Sequence, residues 1–314
     1  MGSSASKAGG TAFNPAADIR KLTGKTILIT GGNSGLGRQS IIELFKHYPR
    51  AIWLAARTLS KAEAAIKEVK NQSVLLPFQL AVIKPLEMDL ASMDSVARAA
   101  EVVRTQTHRL DILILNVGIM ATPPGVSRDG YEIQFATNYL GHVFLVSLLQ
   151  PVLLAAGLEG QQLTGGARAV LLSSVAHSSA EGLSTVAPYG QSKLAVLLYG
   201  RELARGYPEF TVVIVHPGQV RTNLGNTASS TSLLMRALWT LTSALIGVEP
   251  GQGVLNQLWA ATVLADRLCV GAYCKPVGKL AKESKMILSD RLARELWNWT
   301  CGELSRYQEH LDGQ

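Results

Sequence analysis

The run Lys25-Thr-Ile-Leu-Ile-Thr30 leads directly into Gly31-Gly32-Asn33-Ser34-Gly35-Leu36-Gly37, and then into a helical pattern of apolar residues at Ile41, Ile42, Leu44 and Phe45. A short β-rich apolar run of this kind reads as a buried strand. Strand, glycine turn and helix in that order constrain the fold more than any other feature of the chain. Glycines let the backbone turn tightly and approach a pyrophosphate, whose charge then rests on the positive end of the helix. The spacing is G-x-x-x-G-x-G, not G-x-G-x-x-G.

The pattern then repeats. Ala51–Ala56 reads as a second strand, ending in Arg57, and residues 60–70 as a helix. Residues 71–86 carry Pro77 and Pro85 and read as an insertion of no clear form. A short strand at Leu86–Leu90, a helix over Ser92–Gln106 and a strongly apolar strand at Asp111–Asn116 follow, the last stopping at Asn116-Val117-Gly118. One long helix is expected over Tyr131–Ala156, a fifth strand over Ala167–Ser173 and a sixth over Thr211–His216, broken by Pro217-Gly218. Pro250–Asp266 reads as a helix, Gly271–Val277 as a short edge strand and Asp290–Gln308 as a terminal helix whose Trp297 and Trp299 pack or form an interface. Strands and helices alternating at this spacing predict an α/β fold with a doubly wound parallel sheet of about seven strands. Residues 1–20, small and polar, are expected to be a disordered tail, and 21–314 a single domain. The apolar Ser232–Ile246 stretch is expected to belong to a substrate lid at about 222–249, with an interfacial amphipathic helix as its rival.

With 314 residues, 47% hydrophobic and 17% charged, the chain can bury a sizeable core. No run of about 18 uncharged apolar residues suggests a spanning helix. Three cysteines, Cys269, Cys274 and Cys301, are too few for a disulfide framework and lack metal-ligand spacing, which suits reduced thiols in the cytoplasm and no bound metal. The net charge of +7 is scattered, without basic runs interleaved with aromatics. That argues against nucleic acid and for an anionic coenzyme or membrane surface. The opening M-G-S-S-A-S fits N-myristoylation at Gly2, with Ser6 in place, and would give weak membrane association at most.

The candidate chemistry centres on Tyr189-Gly-Gln-Ser192-Lys193, which opens an apolar-periodic helix behind Pro188. Tyr189 and Lys193 are i and i+4 on one face. An ammonium beside a phenol favours the phenolate, so Lys193 is expected to pull the Tyr189 pKa down and suit it to acid–base work on a carbonyl–alcohol pair. Ser174 falls at the C-terminal end of the fifth strand, where ligands bind in open α/β sheets. Asn138 and Gly141 inside a helix lower its local stability and call for a reason, whereas His142 reads as a packed or capping histidine. At the end of the second strand an acid would accept from both ribose hydroxyls, while a cation suits a 2′-phosphate. Arg57 therefore argues for NADP(H), with Arg38 assisting.

Taken together, these segments resemble the short-chain dehydrogenase/reductase family over about residues 22–300. The matches are T-G-x-x-x-G-x-G at Thr30–Gly37, D-L at Asp89–Leu90, N-x-G at Asn116–Gly118, Asn138, Ser174, Y-x-x-x-K at Tyr189–Lys193 and P-G at Pro217–Gly218. Asp129–His142, Ser173–His177 and His216–Leu224 are most similar to the retinol-dehydrogenase-like branch, and fungal reductases of secondary metabolism share this look. Val117 stands where the family usually has alanine. The resemblance implies a Rossmann-type fold and an oxidoreductase acting on a ketone/aldehyde–alcohol pair. Tyr189 would move the proton, Lys193 would assist it and bind the nicotinamide ribose, Ser174 would bond the carbonyl oxygen and Asn138 would hold a water linking Lys193 to solvent. Gly31, Asn33, Ser34, Gly35, Leu36, Gly37, Arg38, Arg57, Asp89, Leu90, Asn116, Gly118, Pro217, Gly218, Val220 and Thr222 would join Tyr189 and Lys193 in binding NADP(H). The substrate would be a fairly large apolar small molecule. Family members often dimerise through the two long helices, here 131–156 and 188–205. Two other readings remain open: non-redox chemistry such as epimerisation or dehydration, and a non-catalytic NADP(H) sensor or scaffold.

Overall fold

Strands buried on both faces are built mostly from apolar residues, and Thr26–Thr30 (β1), Ala51–Ala56 (β2) and Ala167–Leu172 (β5) are buried throughout. The computed structural model describes residues 12–72, 82–160, 166–180, 187–220, 248–264, 267–268 and 270–312. The Gly2 acylation pattern, residues 73–81, Thr222 and most of the expected lid lie outside them. The remaining strands are Val82–Glu87 (β3), Ile112–Leu115 (β4), Phe210–Val215 (β6), Tyr273–Lys275 (β7) and the two-residue Lys279–Leu280 (β8). One sheet takes the order β3-β2-β1-β4-β5-β6-β7-β8, parallel except for the β7–β8 pair. The chain winds outward from β1 to β3 and then returns to place β4 on the other side of β1. The crevice at that reversal is where open α/β sheets bind ligands.

The helices are Pro15–Asp18 (α1), Gly35–Phe45 (α2), Leu59–Gln72 (α3), Met93–Gln106 (α4), Ile133–Phe135 (α5), Gly141–Gly160 (α6), Ala187–Gly206 (α7), Pro250–Gly253 (α8), Leu255–Thr262 (α9) and Asp290–Asp312 (α10). Successive strand residues point to opposite faces, so the core divides in two. Leu28, Leu113, Ala169 and Ile214 meet Val96, Phe144, Leu197 and Leu304 from α4, α6, α7 and α10. Ile27, Ile29, Ile114 and Val213 meet Ile41, Ile66 and Leu258 from α2, α3 and α9.

Several expectations are corrected. The tail is structured from Asn14, which caps α1 by accepting the Ala16 N–H, and Ile19 and Leu22 are buried in the core. The third strand begins at Val82, inside the stretch read as an insertion, and ends at Glu87, leaving Asp89 and Leu90 in the loop beyond. Pro85 is tolerated because β3 is the sheet edge. The long helix is broken by a π turn at Ala136–Leu140, and the 250–266 helix is split into α8 and α9. Ile133–Glu159 is long and apolar enough to cross a membrane, with an 18-residue window of mean hydropathy 1.8, but 67% of that window is buried. That is the burial of a core helix. The C-terminal helix α10 packs on the two long helical segments. Trp297 stacks on Tyr199 at 5.2 Å, the Tyr139 hydroxyl bonds Thr300 at 2.7 Å and Tyr131 donates to Glu303.

Candidate active site

The turn after β1 is held in a form that only small residues allow. Gly31 and Gly35 have φ of +67° and +52°, in the left-handed region. Gly37 lies against the loop itself: a Cβ there would stand 2.3 Å from the Gly31 carbonyl oxygen and 2.7 Å from Asn116 Nδ2. That amide donates to the Thr30 carbonyl at 2.9 Å, tying the end of β4 to the glycine turn. Gly31 in turn faces Val117, whose methyl would meet a Cβ at 2.9 Å. The first turn of α2 therefore presents its free N–H groups to the crevice, as anion binding requires.

A cavity of about 940 Å³ runs from this turn to Tyr189. Gly31, Asn33, Ser34, Gly35 and Leu36 line one end, with Arg57, Asp89 and Leu90 beside them. Asn116, Gly118, Pro217, Gly218 and Val220 line the middle, and Ser174, Tyr189 and Lys193 the far end. Three residues expected at the site stand elsewhere. Gly37 packs beneath the turn. Arg38 is ion-paired with Glu68 of α3, on partly exposed side chains, and does not line the cavity. Asn138 is fully buried behind the wall. Sequence reasoning missed Lys61, which lines the cavity with Arg57 from the start of α3. Its place just after the β2 end was the available signal.

Asn138 owes its position to the π turn. Its side chain accepts the Ile119 N–H at 2.8 Å and donates to the Ile119 carbonyl and to Ser192 Oγ, both at 2.9 Å. It braces the loop after β4 against α7. Gly141 now has its reason too: a Cβ there would stand 2.2 Å from the Leu90 carbonyl oxygen. On the β5 side, Ser173 Oγ donates to the Lys193 carbonyl at 2.8 Å, and His177 Nδ1 bonds the Ser174 carbonyl at 2.6 Å.

Lys193 is 4% exposed, its Nζ donating to the Leu172 carbonyl at 3.0 Å and lying 5.7 Å from the Tyr189 ring centre. A side chain on Gly118 would crowd it, since a Cβ there would be 3.3 Å from Nζ. Burial lowers the Lys193 pKa to about 8, which leaves the ammonium predominant at neutral pH. The Tyr189 pKa moves opposite to the sequence expectation. Burial raises it, only partly offset by hydrogen bonding to Ser174. Both groups are out of water, so desolvation of each charged form outweighs their mutual attraction.

A glycine turn under a helix N-terminus at the sheet reversal, with a half-buried serine and a buried tyrosine and lysine at the far end of the same cleft, defines a dinucleotide-dependent oxidoreductase. The side-chain-free positions at Gly31, Gly35 and Gly118 on the cavity wall fit such a coenzyme. A family model for short chain dehydrogenase matches residues 25–232. The chain is 33% identical to the short-chain dehydrogenase/reductase drtF of Aspergillus calidoustus, over 94% of this chain and 98% of that one. It is 32% identical to human (Homo sapiens) retinol dehydrogenase 14, over 88% and 84% of the two chains. The crystal structure of NADPH bound carbonyl reductase from chicken fatty liver superposes with a TM-score of 0.62, at 21% identity over 83% of this chain and 100% of that one, and so shares the fold. The chain belongs to the short-chain dehydrogenase/reductase family and is an oxidoreductase that uses a nicotinamide coenzyme, NAD or NADP.

Proposed function

We propose that the chain is an NADP(H)-dependent enzyme interconverting a ketone or aldehyde with its alcohol, on a fairly large apolar substrate. The observation that carries this is the convergence of Ser174, Tyr189 and Lys193 at one end of a cleft whose other end holds Arg57 and Lys61. When bound, the nicotinamide supplies or accepts the hydride. The protein's own residues handle the substrate oxygen. Ser174 donates a hydrogen bond to it as negative charge grows. Tyr189 gives it a proton in reduction and takes one back in oxidation. An alkoxide is more basic than a phenolate, so a phenol whose pKa burial has raised still transfers its proton downhill. Lys193 would hold the nicotinamide ribose with its ammonium. Asn138 positions the loop and α7 around them.

Arg57 and Lys61 support NADP(H) over NAD(H), because two cations and no carboxylate follow the end of β2 within the cavity wall. The likeness to a carbonyl reductase bound to NADPH and to retinol dehydrogenases agrees with this reading. Ile119, Met120, Ile133 and Val175 line the substrate end and suit an apolar molecule. Arg57→Ala is expected to raise KM for NADPH roughly tenfold, by loss of a charge-assisted bond to the 2′-phosphate, while KM for NADH changes less than about twofold. Equal losses for the two coenzymes would contradict the assignment.

A further inference from the structure

Behind the cavity wall runs a string of polar groups that the reaction does not use directly. Thr30, Asn138 and Ser192 are fully buried and His142 is 3% exposed. The Thr30 hydroxyl oxygen accepts the N–H of Asn116 at 2.9 Å and of Val117 at 3.1 Å. A hydroxyl has two lone pairs and one proton. Its accepting capacity is therefore used, and its proton is left for its remaining neighbour, His142 Nε2, at 2.9 Å. Nε2 must then be bare, and the ring proton must sit on Nδ1, which donates to the Asn138 backbone carbonyl at 3.1 Å. Asn138 lies in the π turn, where the backbone ladder changes register and a side chain can take a carbonyl. From Asn138 the chain of bonds continues through its amide to Ser192 Oγ, which donates to the Tyr189 carbonyl at 2.8 Å.

We propose that His142, as its neutral Nδ1–H tautomer, is a positioning residue for the reaction, joining the coenzyme-side turns at Thr30 and Asn116–Val117 to the helix that carries Tyr189 and Lys193. This rests on the carbonyl-reductase reading. An imidazolium would have no acceptor for its second proton, because the Thr30 oxygen is already full. Burial also holds the His142 pKa down to about 3. The same bonds therefore persist wherever the protein is folded, and the link is structural glue with a defined direction of hydrogen bonding, not a pH switch.

Nitrogen-15 NMR of the histidine rings in the wild-type protein reads the tautomer directly. The proposal expects a protonated Nδ1 and a bare Nε2 at His142. A proton on Nε2 would overturn it, whether or not any carbonyl substrate is turned over. For function, His142→Leu removes both bonds at similar volume and His142→Gln keeps a donor and an acceptor. At saturating coenzyme, kcat of the Leu variant is expected to fall roughly 10- to 100-fold, since small misplacements of reacting groups carry losses of that order. The Gln variant is expected to recover most of it. A Leu variant with kcat within about twofold of wild type would show that His142 only packs. If the Leu variant does not fold, the tautomer and the Gln variant decide: an Nε2–H ring contradicts the proposal, and so does a folded Gln variant as slow as Tyr189→Phe.

Discussion

Tyr189→Phe is expected to lower kcat for carbonyl reduction about 10²- to 10⁴-fold, the usual contribution of a positioned general acid. Coenzyme affinity should be nearly unchanged, because only an oxygen is removed and the ring remains to fill its buried place on α7. The size of the effect follows from the surroundings. Tyr189 faces Ser174, and Lys193 is fixed beside the ring by its bond to Leu172. No other titratable hydroxyl lines that end of the cavity among the described residues. The measurement is steady-state kinetics beside a coenzyme titration. A variant that retains more than about a tenth of wild-type kcat would remove Tyr189 from the chemistry.

Gly37→Ala is expected to weaken coenzyme binding roughly 10- to 100-fold, from overpacking of about 1–3 kcal/mol. A methyl there would stand 2.3 Å from a backbone oxygen of Gly31 and 2.9 Å from its carbonyl carbon, neither of which can move without displacing the turn. The Asn116 amide, at 2.7 Å, would be pushed as well, loosening its bond to Thr30. The loss should fall on the dissociation constant for NADPH, read by titration, with kcat at saturating coenzyme much less affected. Unchanged affinity would mean that the turn after β1 does not form the coenzyme cradle.

Much of the fold was legible because its signals are local. The short apolar run Ile112–Leu115, bounded by Asp111 and Asn116, suits a strand buried on both faces, and the glycine turn after Thr30 names its own helix. The i, i+4 pairing of Tyr189 and Lys193 likewise needed nothing beyond helix geometry. What escaped depends on neighbours distant in sequence. Pro85 reads as a break until β3 is known to be an edge. The π turn at Ala136–Leu140 exists to deliver Asn138 to Ile119 and Ser192, contacts no periodicity contains. Arg38 reads as a phosphate ligand until Glu68, on another helix, is seen to hold it. The direction of the Tyr189 pKa was misjudged because spacing shows the ammonium nearby but not the burial of both groups, which dominates. His142, read as packed or capping, is indeed buried and bonds the Asn138 carbonyl, but its bond to Thr30 exists only in the folded chain.

The most direct test of the central claim is NADPH consumption by the wild-type protein against a panel of apolar aldehydes, ketones and quinones, with NADH run in parallel. The account predicts turnover of at least one member, faster with NADPH than with NADH. NADPH that binds tightly while no carbonyl in the panel is reduced would contradict it.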